Sequence, residues 1–217
     1  MDQSRVKLTL RGTASAAAVA LAIGWPGLSV AAQRQDDAAD AIRLIEVLGL
    51  SQGSLVADVG AGSGVLTVPI ARHVGPRGRV YSTDINADRW EEIRDAAREA
   101  SLENVVVVEG APAETNLPEE CCDAVFMRAV YHHFGDPASM NASLLRSLKP
   151  GGRLAVVDFP PGTGETAPAS QRNEGDSHGV TPATVIEELT AAGFARVRQL
   201  DWTTSGAFLV VAERPES

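Results

Sequence analysis

From residue 36 onward the chain alternates two hydrophobic rhythms. Residues 36–50 place Ile42, Ile45, Leu48 and Leu50 near helical spacing behind an acidic start. The short apolar run Leu55–Val59, interrupted only by Asp58, fits a buried strand, and a helix follows through Thr67-Val68-Pro69-Ile70-Ala71. Arg79–Thr83 reads as a second strand ending at Asp84, with a charged amphipathic helix over 87–100. The four valines at 105–108 predict a central parallel strand covered on both faces. Asp123–Met127 makes a fourth strand. Asp136-Pro137 is a cap followed by proline at the first helical position, opening a helix to Leu148. Lys149-Pro150-Gly151-Gly152 turns the chain into a strand at Leu154–Asp158. Thr181-Pro182 repeats the cap signal and Gly193 closes that helix. Two strands, about 195–201 and 207–213, end the chain, and their short link predicts antiparallel pairing. The stretch 160–180, rich in Pro, Gly, Ser and Thr, reads as a mobile loop. Strands alternating with helices imply a three-layer α/β fold, doubly wound on a mostly parallel sheet.

The first 32 residues follow a different pattern. Arg5, Lys7 and Arg11 form a basic start, and residues 12–33 carry no charge. Within them lies the apolar run 14–23, followed by Pro26, Gly27 and the small residues Ser29-Val30-Ala31-Ala32. This is the layout of a secretory signal cleaved after Ala31 or Ala32. The apolar run is short for a membrane span, which needs about 20 such residues. The expectation is a signal peptide, or an N-terminal membrane anchor, at 1–32 and one domain at 33–217. The protein is periplasmic or secreted if the signal is real, and cytoplasmic if the start codon is over-extended.

Composition narrows the partners. With 28 acidic against 19 basic residues the formal charge is -9, and no Lys/Arg cluster offers a basic face. Nucleic acid is therefore not an expected partner. The two cysteines, adjacent at 121 and 122, exclude a disulfide scaffold and any cysteine-based zinc cluster. No metal site is expected, and the cysteines read as buried packing.

The chemistry gathers at strand ends, where open parallel sheets bind ligands. The first strand runs into Asp58-Val59-Gly60-Ala61-Gly62-Ser63-Gly64. Glycines there permit a tight turn and close approach to backbone, and the next helix presents free N–H groups. The dinucleotide fingerprint requires glycine where this chain has Val65. Asp84, ending the second strand, has the carboxylate that accepts two hydrogen bonds from a ribose diol, which points to a nucleoside ligand.

Together, the D-x-G-x-G-x-G turn, Asp84, the -KPGG- turn and the terminal hairpin resemble the class I S-adenosyl-L-methionine-dependent methyltransferases. The stretch Tyr131-His132-His133-Phe134 resembles the small-molecule branch (methyltransferase type 11) related to ubiquinone biosynthesis. The resemblance spans about residues 40–213. It implies a seven-stranded sheet of order 3-2-1-4-5-7-6 with strand 7 antiparallel, and S-adenosyl-L-methionine as cofactor. By resemblance, Gly60, Ala61, Gly62 and Gly64 cradle the methionine part, Asp58 helps hold its amino group, and Asp84 binds ribose. The family's adenine-binding acid is displaced here to Glu114; backbone around Ala113 is the alternative.

Methyl transfer requires alignment more than acid–base help. Acceptor-side candidates on the rim are Tyr131, His132, His133 and Asp158 as catalytic groups, with Arg128 and His178 on the substrate side. His133 comes first, being farther along the exit from the fourth strand. Each also has a plain reading: a packed histidine, an acid bonding loop backbone, a salt-bridged arginine. The expected function is methyl transfer to a small-molecule acceptor. The alternatives are a catalytically silent binding domain acting as sensor or scaffold, and, third, an NAD(P)-dependent oxidoreductase.

Overall fold

The structure is a computed structural model that describes residues 26–202 and 206–216, with side chains from residue 36. The apolar run at 14–23 lies outside the described residues. The expected cleavage positions fall within the backbone of helix α1 (Pro26–Leu48). Among the described residues no helix is long and apolar enough to cross a membrane.

Seven strands alternate with helices: β1 (Leu55–Val59), α2 (Thr67–Val74), β2 (Arg79–Asp84), α3 (Ala87–Glu99), β3 (Val105–Glu109), β4 (Cys122–Arg128), α4 (Pro137–Ser147), β5 (Leu148–Asp158), α5 (Pro182–Ala191), β6 (Ala195–Leu200) and β7 (Phe208–Glu213). The sheet order is 3-2-1-4-5-7-6, with β7 antiparallel to both neighbours. Pairing runs parallel from β3 through β5. All these parallel strands therefore deliver their carboxyl ends to one edge.

Period-two alternation builds a core on each face of the sheet. Val56, Ala124, Phe126 and Val157 pack with Leu44 and Leu48 of α1 and Ile70 and Val74 of α2. Ala57, Val125, Met127 and Val156 face Leu144 of α4 and Val185 and Leu189 of α5. Both cap signals hold: Asp136 accepts from the Ser139 amide and Thr181 from the Thr184 amide, each with proline at the start of the helix.

Three expectations are corrected. β3 is the edge strand, and its valines are only partly covered, with Val106 36% exposed. A β-branched run stabilises any extended strand, so four valines do not distinguish edge from centre. β5 starts at Leu148, ahead of the glycine pair, and absorbs it as a register shift against β4. The 160–180 segment is tied down: it contains two short 3-10 turns, Ala169–Gln171 and Gly175–Ser177. Its Arg172 is buried and bidentate to Glu188 of α5, with N···O distances of 2.6 and 3.3 Å. Cys121 and Cys122 are buried as expected, and in addition are joined by a disulfide. They lie at the start of β4, Cys121 just before it and Cys122 its first residue, at the sheet edge away from the glycine turn.

Leu44 is fully buried between α1 and the sheet. Leu44→Ala should cost about 2–5 kcal/mol, the usual range for such a truncation. An equilibrium urea melt would read it; a loss under about 1 kcal/mol would mean that α1 is not docked as described.

Candidate active site

The turn after β1 is held by the end of β2. The amides of Gly60 and Ala61 both donate to the Thr83 carbonyl, at 2.8 and 2.9 Å. The Gly62 amide donates to Asp84 Oδ2 at 3.0 Å, and the Asn86 amide donates to Oδ1 at 2.9 Å. An ionised carboxylate has about four acceptor positions, so Asp84 keeps capacity for a diol. Two glycines are required by geometry. At Gly60 (φ +70°) a Cβ would lie 2.5 Å from Val130 Cγ2. At Gly62 (φ +56°) the backbone is in the left-handed region, and a Cβ would project into open space, which leaves bare backbone accessible there.

Asp58 is buried below this turn and accepts from Thr67 Oγ1 at 2.6 Å. Among the described residues no cation forms an ion pair with it. Desolvation dominates and lifts its carboxyl to about 7, against lowering by the Thr67 bond and the Arg128 charge and a small raising by Asp84. A buried carboxylate with this unmet demand fits an ammonium group placed beside it.

Two hollows flank Gly60. One, of about 290 Å³, is lined by Asp58, Gly60, Ala61, Gly62 and Arg128. The other, of about 400 Å³, is lined by Asp84, Gly110, Glu114, Val130 and Met140, among others, and reaches His133 and Asn173. Gly64 lies just below the turn, with Ile93 and Thr67 against it. Glu114 borders the second hollow, yet its Oε1 accepts from Ser143 Oγ (2.8 Å) and Arg146 Nη2 (2.6 Å). These bonds hold its carboxyl below the usual range, the Ser143 hydroxyl contributing most.

The acceptor-side candidates separate. Residues 131–133 form a single 3-10 turn, which points successive side chains in different directions. Tyr131 is fully buried in the core, its hydroxyl donating to Glu188 Oε2 (2.9 Å) and accepting from Asn141 Nδ2 (2.7 Å). Burial, then the Glu188 charge, pushes its phenol well above its ordinary value. It is not a rim residue. His132 is also buried; its Nδ1 meets Asp158 Oδ1 at 2.8 Å, and its backbone amide donates to Asp158 Oδ2 at 3.1 Å. Asp158, buried at the end of β5, also accepts from the Phe159 amide. It orients His132 and the chain leaving β5, and does not stand on the rim. His133 alone of the three is exposed, with Nδ1 2.8 Å from Asn173 Oδ1. Burial first, then the neighbouring His132, holds its imidazole below the usual value. Arg128 pairs with Asp37 and Asp40 of α1, both at 2.7 Å, and borders the Asp58 hollow rather than the histidines. His178 is brought from the 160–180 segment onto His132, with ring centroids 4.7 Å apart. Sequence reasoning missed Asn173, Phe159 and the Arg172–Glu188 anchor, because no local pattern marks contacts between residues 16 to 40 apart.

Residues 57–156 match the family model for a methyltransferase domain. That match covers just under half of the chain. The ubiquinone/menaquinone biosynthesis C-methyltransferase of Saccharophagus degradans is 34% identical over 116 residues, covering 53% of this chain and 47% of that protein. The chain thus matches about half the length of the curated relatives. Two solved structures share the fold. A SAM-dependent methyltransferase from Aquifex aeolicus has a TM-score of 0.70 at 24% identity, covering 85% of this chain and 97% of that one. The [4+2]-cyclase SpnF also gives 0.70, at 19% identity, covering 83% and 82%. The matched stretch contains Asp58, the glycine turn, Asp84, Glu114 and the histidine turn.

The raised Asp58 carboxyl has a stability consequence. Between about pH 4 and 7 the folded state holds a proton that the unfolded chain has released, so this group makes stability fall as pH rises. Asp58→Asn should gain on the parent by roughly 2–4 kcal/mol between pH 5 and pH 8, at about 1.4 kcal/mol per unit, and match it only below about pH 4. Urea unfolding at the two pH values checks this; equal stability at pH 8 would mean that Asp58 is not charged against its surroundings.

Proposed function

We propose that the protein is an S-adenosyl-L-methionine-dependent methyltransferase that methylates a small-molecule acceptor. The observation carrying this reading is the placement of two acids on either side of one glycine turn. Asp58 borders one hollow, Asp84 the other, and Gly60 lines both. The matched domain and the curated C-methyltransferase relatives support it.

When bound, S-adenosyl-L-methionine supplies a methyl group already activated by its sulfonium. The protein's part is to align the acceptor and exclude water. Asp58 would hold the amino group, the open face of Gly62 would admit the methionine part, and Asp84 would accept from the ribose hydroxyls. Adenine would lie near Gly110–Glu114, against backbone or the free side of Glu114. The apolar wall of Val130, Phe134 and Met140 excludes water from the larger hollow. His133 at its border is the group in reach of an acceptor proton, and removing it addresses acid–base help without disturbing the cofactor acids.

The full chain should be stabilised against heat by S-adenosyl-L-methionine and S-adenosyl-L-homocysteine, and not by NAD or NADP. A shift with NAD alone would favour the oxidoreductase. Binding with no turnover across phenols, amines and thiols would favour the silent domain.

Asp84→Ala should weaken S-adenosyl-L-homocysteine by about 1–3 kcal/mol in calorimetry, the cost of leaving hydroxyl groups unpaired. Unchanged affinity in a folded variant would remove Asp84 from the ribose site.

A further inference from the structure

Four histidines occur in the chain, and three of them meet. His132, His133 and His178 each present a ring nitrogen within 4.8 Å of the others'. Two of the rings are already set as ligands. The His132 Nδ1 faces the Asp158 carboxylate at 2.8 Å; a carboxylate oxygen accepts, so in the neutral ring Nδ1 carries the proton and Nε2 the lone pair. The His133 Nδ1 likewise donates to the Asn173 side-chain oxygen, leaving Nε2 free of that bond. A carboxylate or amide oxygen behind a ligating imidazole is the arrangement that fixes tautomer and ring angle in metal sites.

The decisive observation is the other nitrogen of His132. The side chain is 1% exposed, and Nε2 is buried with no hydrogen-bond partner. A buried polar atom left this way costs stability unless a partner reaches it. The ring is held on one side by Asp158 and packed by Phe159 at 4.8 Å, so it has no freedom to turn the nitrogen outward. The His133 and His178 rings lie 3.9 and 4.7 Å from it, centroid to centroid.

We propose that His132, His133 and His178 form a binding site for a divalent transition-metal ion of the zinc class, through three imidazole nitrogens. Imidazole donors suit zinc, copper, iron and nickel, and exclude magnesium and calcium, which take oxygen ligands. Zinc–nitrogen bonds of about 2.0–2.1 Å in a tetrahedron put ligand atoms about 3.3 Å apart. The nitrogens need to close by about 1.5 Å at most, and the two exposed rings, His133 and His178, supply that movement around the fixed His132. Three protein ligands leave a fourth position for water or an anionic oxygen or sulfur donor, the pattern of catalytic rather than structural zinc. No ligand spacing in the chain announces the site, because His178 lies 45 residues beyond His133. The ion site does not depend on the methyltransferase reading and is tested without turnover.

The test is a titration of metal-stripped full-length protein with zinc chloride against a chromophoric competitor chelator. One equivalent should bind with an affinity that excess magnesium leaves unchanged, and cobalt(II) should give the visible bands of a four-coordinate ion. His133→Ala and His178→Ala, both at exposed positions, should each weaken zinc at least tenfold while circular dichroism shows intact folds. Asp158→Asn should weaken it about 10–100-fold by loosening His132. His73→Ala, whose ring instead meets the Leu50 carbonyl, should bind as the parent does. The proposal is overturned if the parent binds no stoichiometric zinc, if either exposed variant keeps the parent's affinity, or if His73→Ala weakens binding as much as they do.

Discussion

A buried chain of three side chains sets the site's geometry. Thr67, at the start of α2, donates to the Asp58 carboxylate at 2.6 Å and meets the Ser82 hydroxyl at 2.9 Å. With the threonine proton spent on the carboxylate, the Ser82 hydroxyl is the donor in the second bond. One residue thereby ties β1, β2 and α2 together at the level where the glycine turn begins. The loop between Asp58 and Thr67 has little choice of path, since Gly60 and Ala61 are also held to the Thr83 carbonyl and Gly62 to Asp84. Among the described residues this carboxylate is buried without a cation in contact. Such a group costs stability, and under the proposed function that cost would favour a ligand that brings its own positive charge.

The parts of this structure that depend on neighbours in the chain were legible in the sequence. The strands, the two proline-bearing caps and the glycine turn announce themselves within a few residues, and parallel winding places Asp58 and Asp84 at one edge. The sheet order came from family resemblance, not from periodicity, and the structure agrees with it. What was misread depends on contacts distant in sequence. The valines of β3 look the same at an edge as at a centre. Tyr131 and His132 sit in a stretch that reads as rim, yet the 3-10 turn sends the first into the core and the second beneath the surface, leaving only His133 outside. Arg128 had two plausible roles, and α1 decides between them by supplying Asp37 and Asp40.

The 160–180 segment shows how an anchor without site chemistry places residues that have it. Its composition promised mobility, yet Arg172 enters the protein and grips Glu188 with two hydrogen bonds. The same carboxylate accepts from the Tyr131 hydroxyl, which is held in turn by Asn141. Glu188 therefore joins α5, the histidine turn and the distal segment through a single side chain. The backbone continues the register: the Gly179 amide donates to the Arg172 carbonyl and the Val180 amide to the Phe159 carbonyl. Between these fixed points Asn173 and His178 have little room to lie anywhere but over His133 and His132. Tyr131, read at first as a catalytic phenol, thus contributes by holding rather than reacting. Under the proposed function, the chemistry at the mouth of the cleft would fall to the imidazoles that it and Asp158 keep in place.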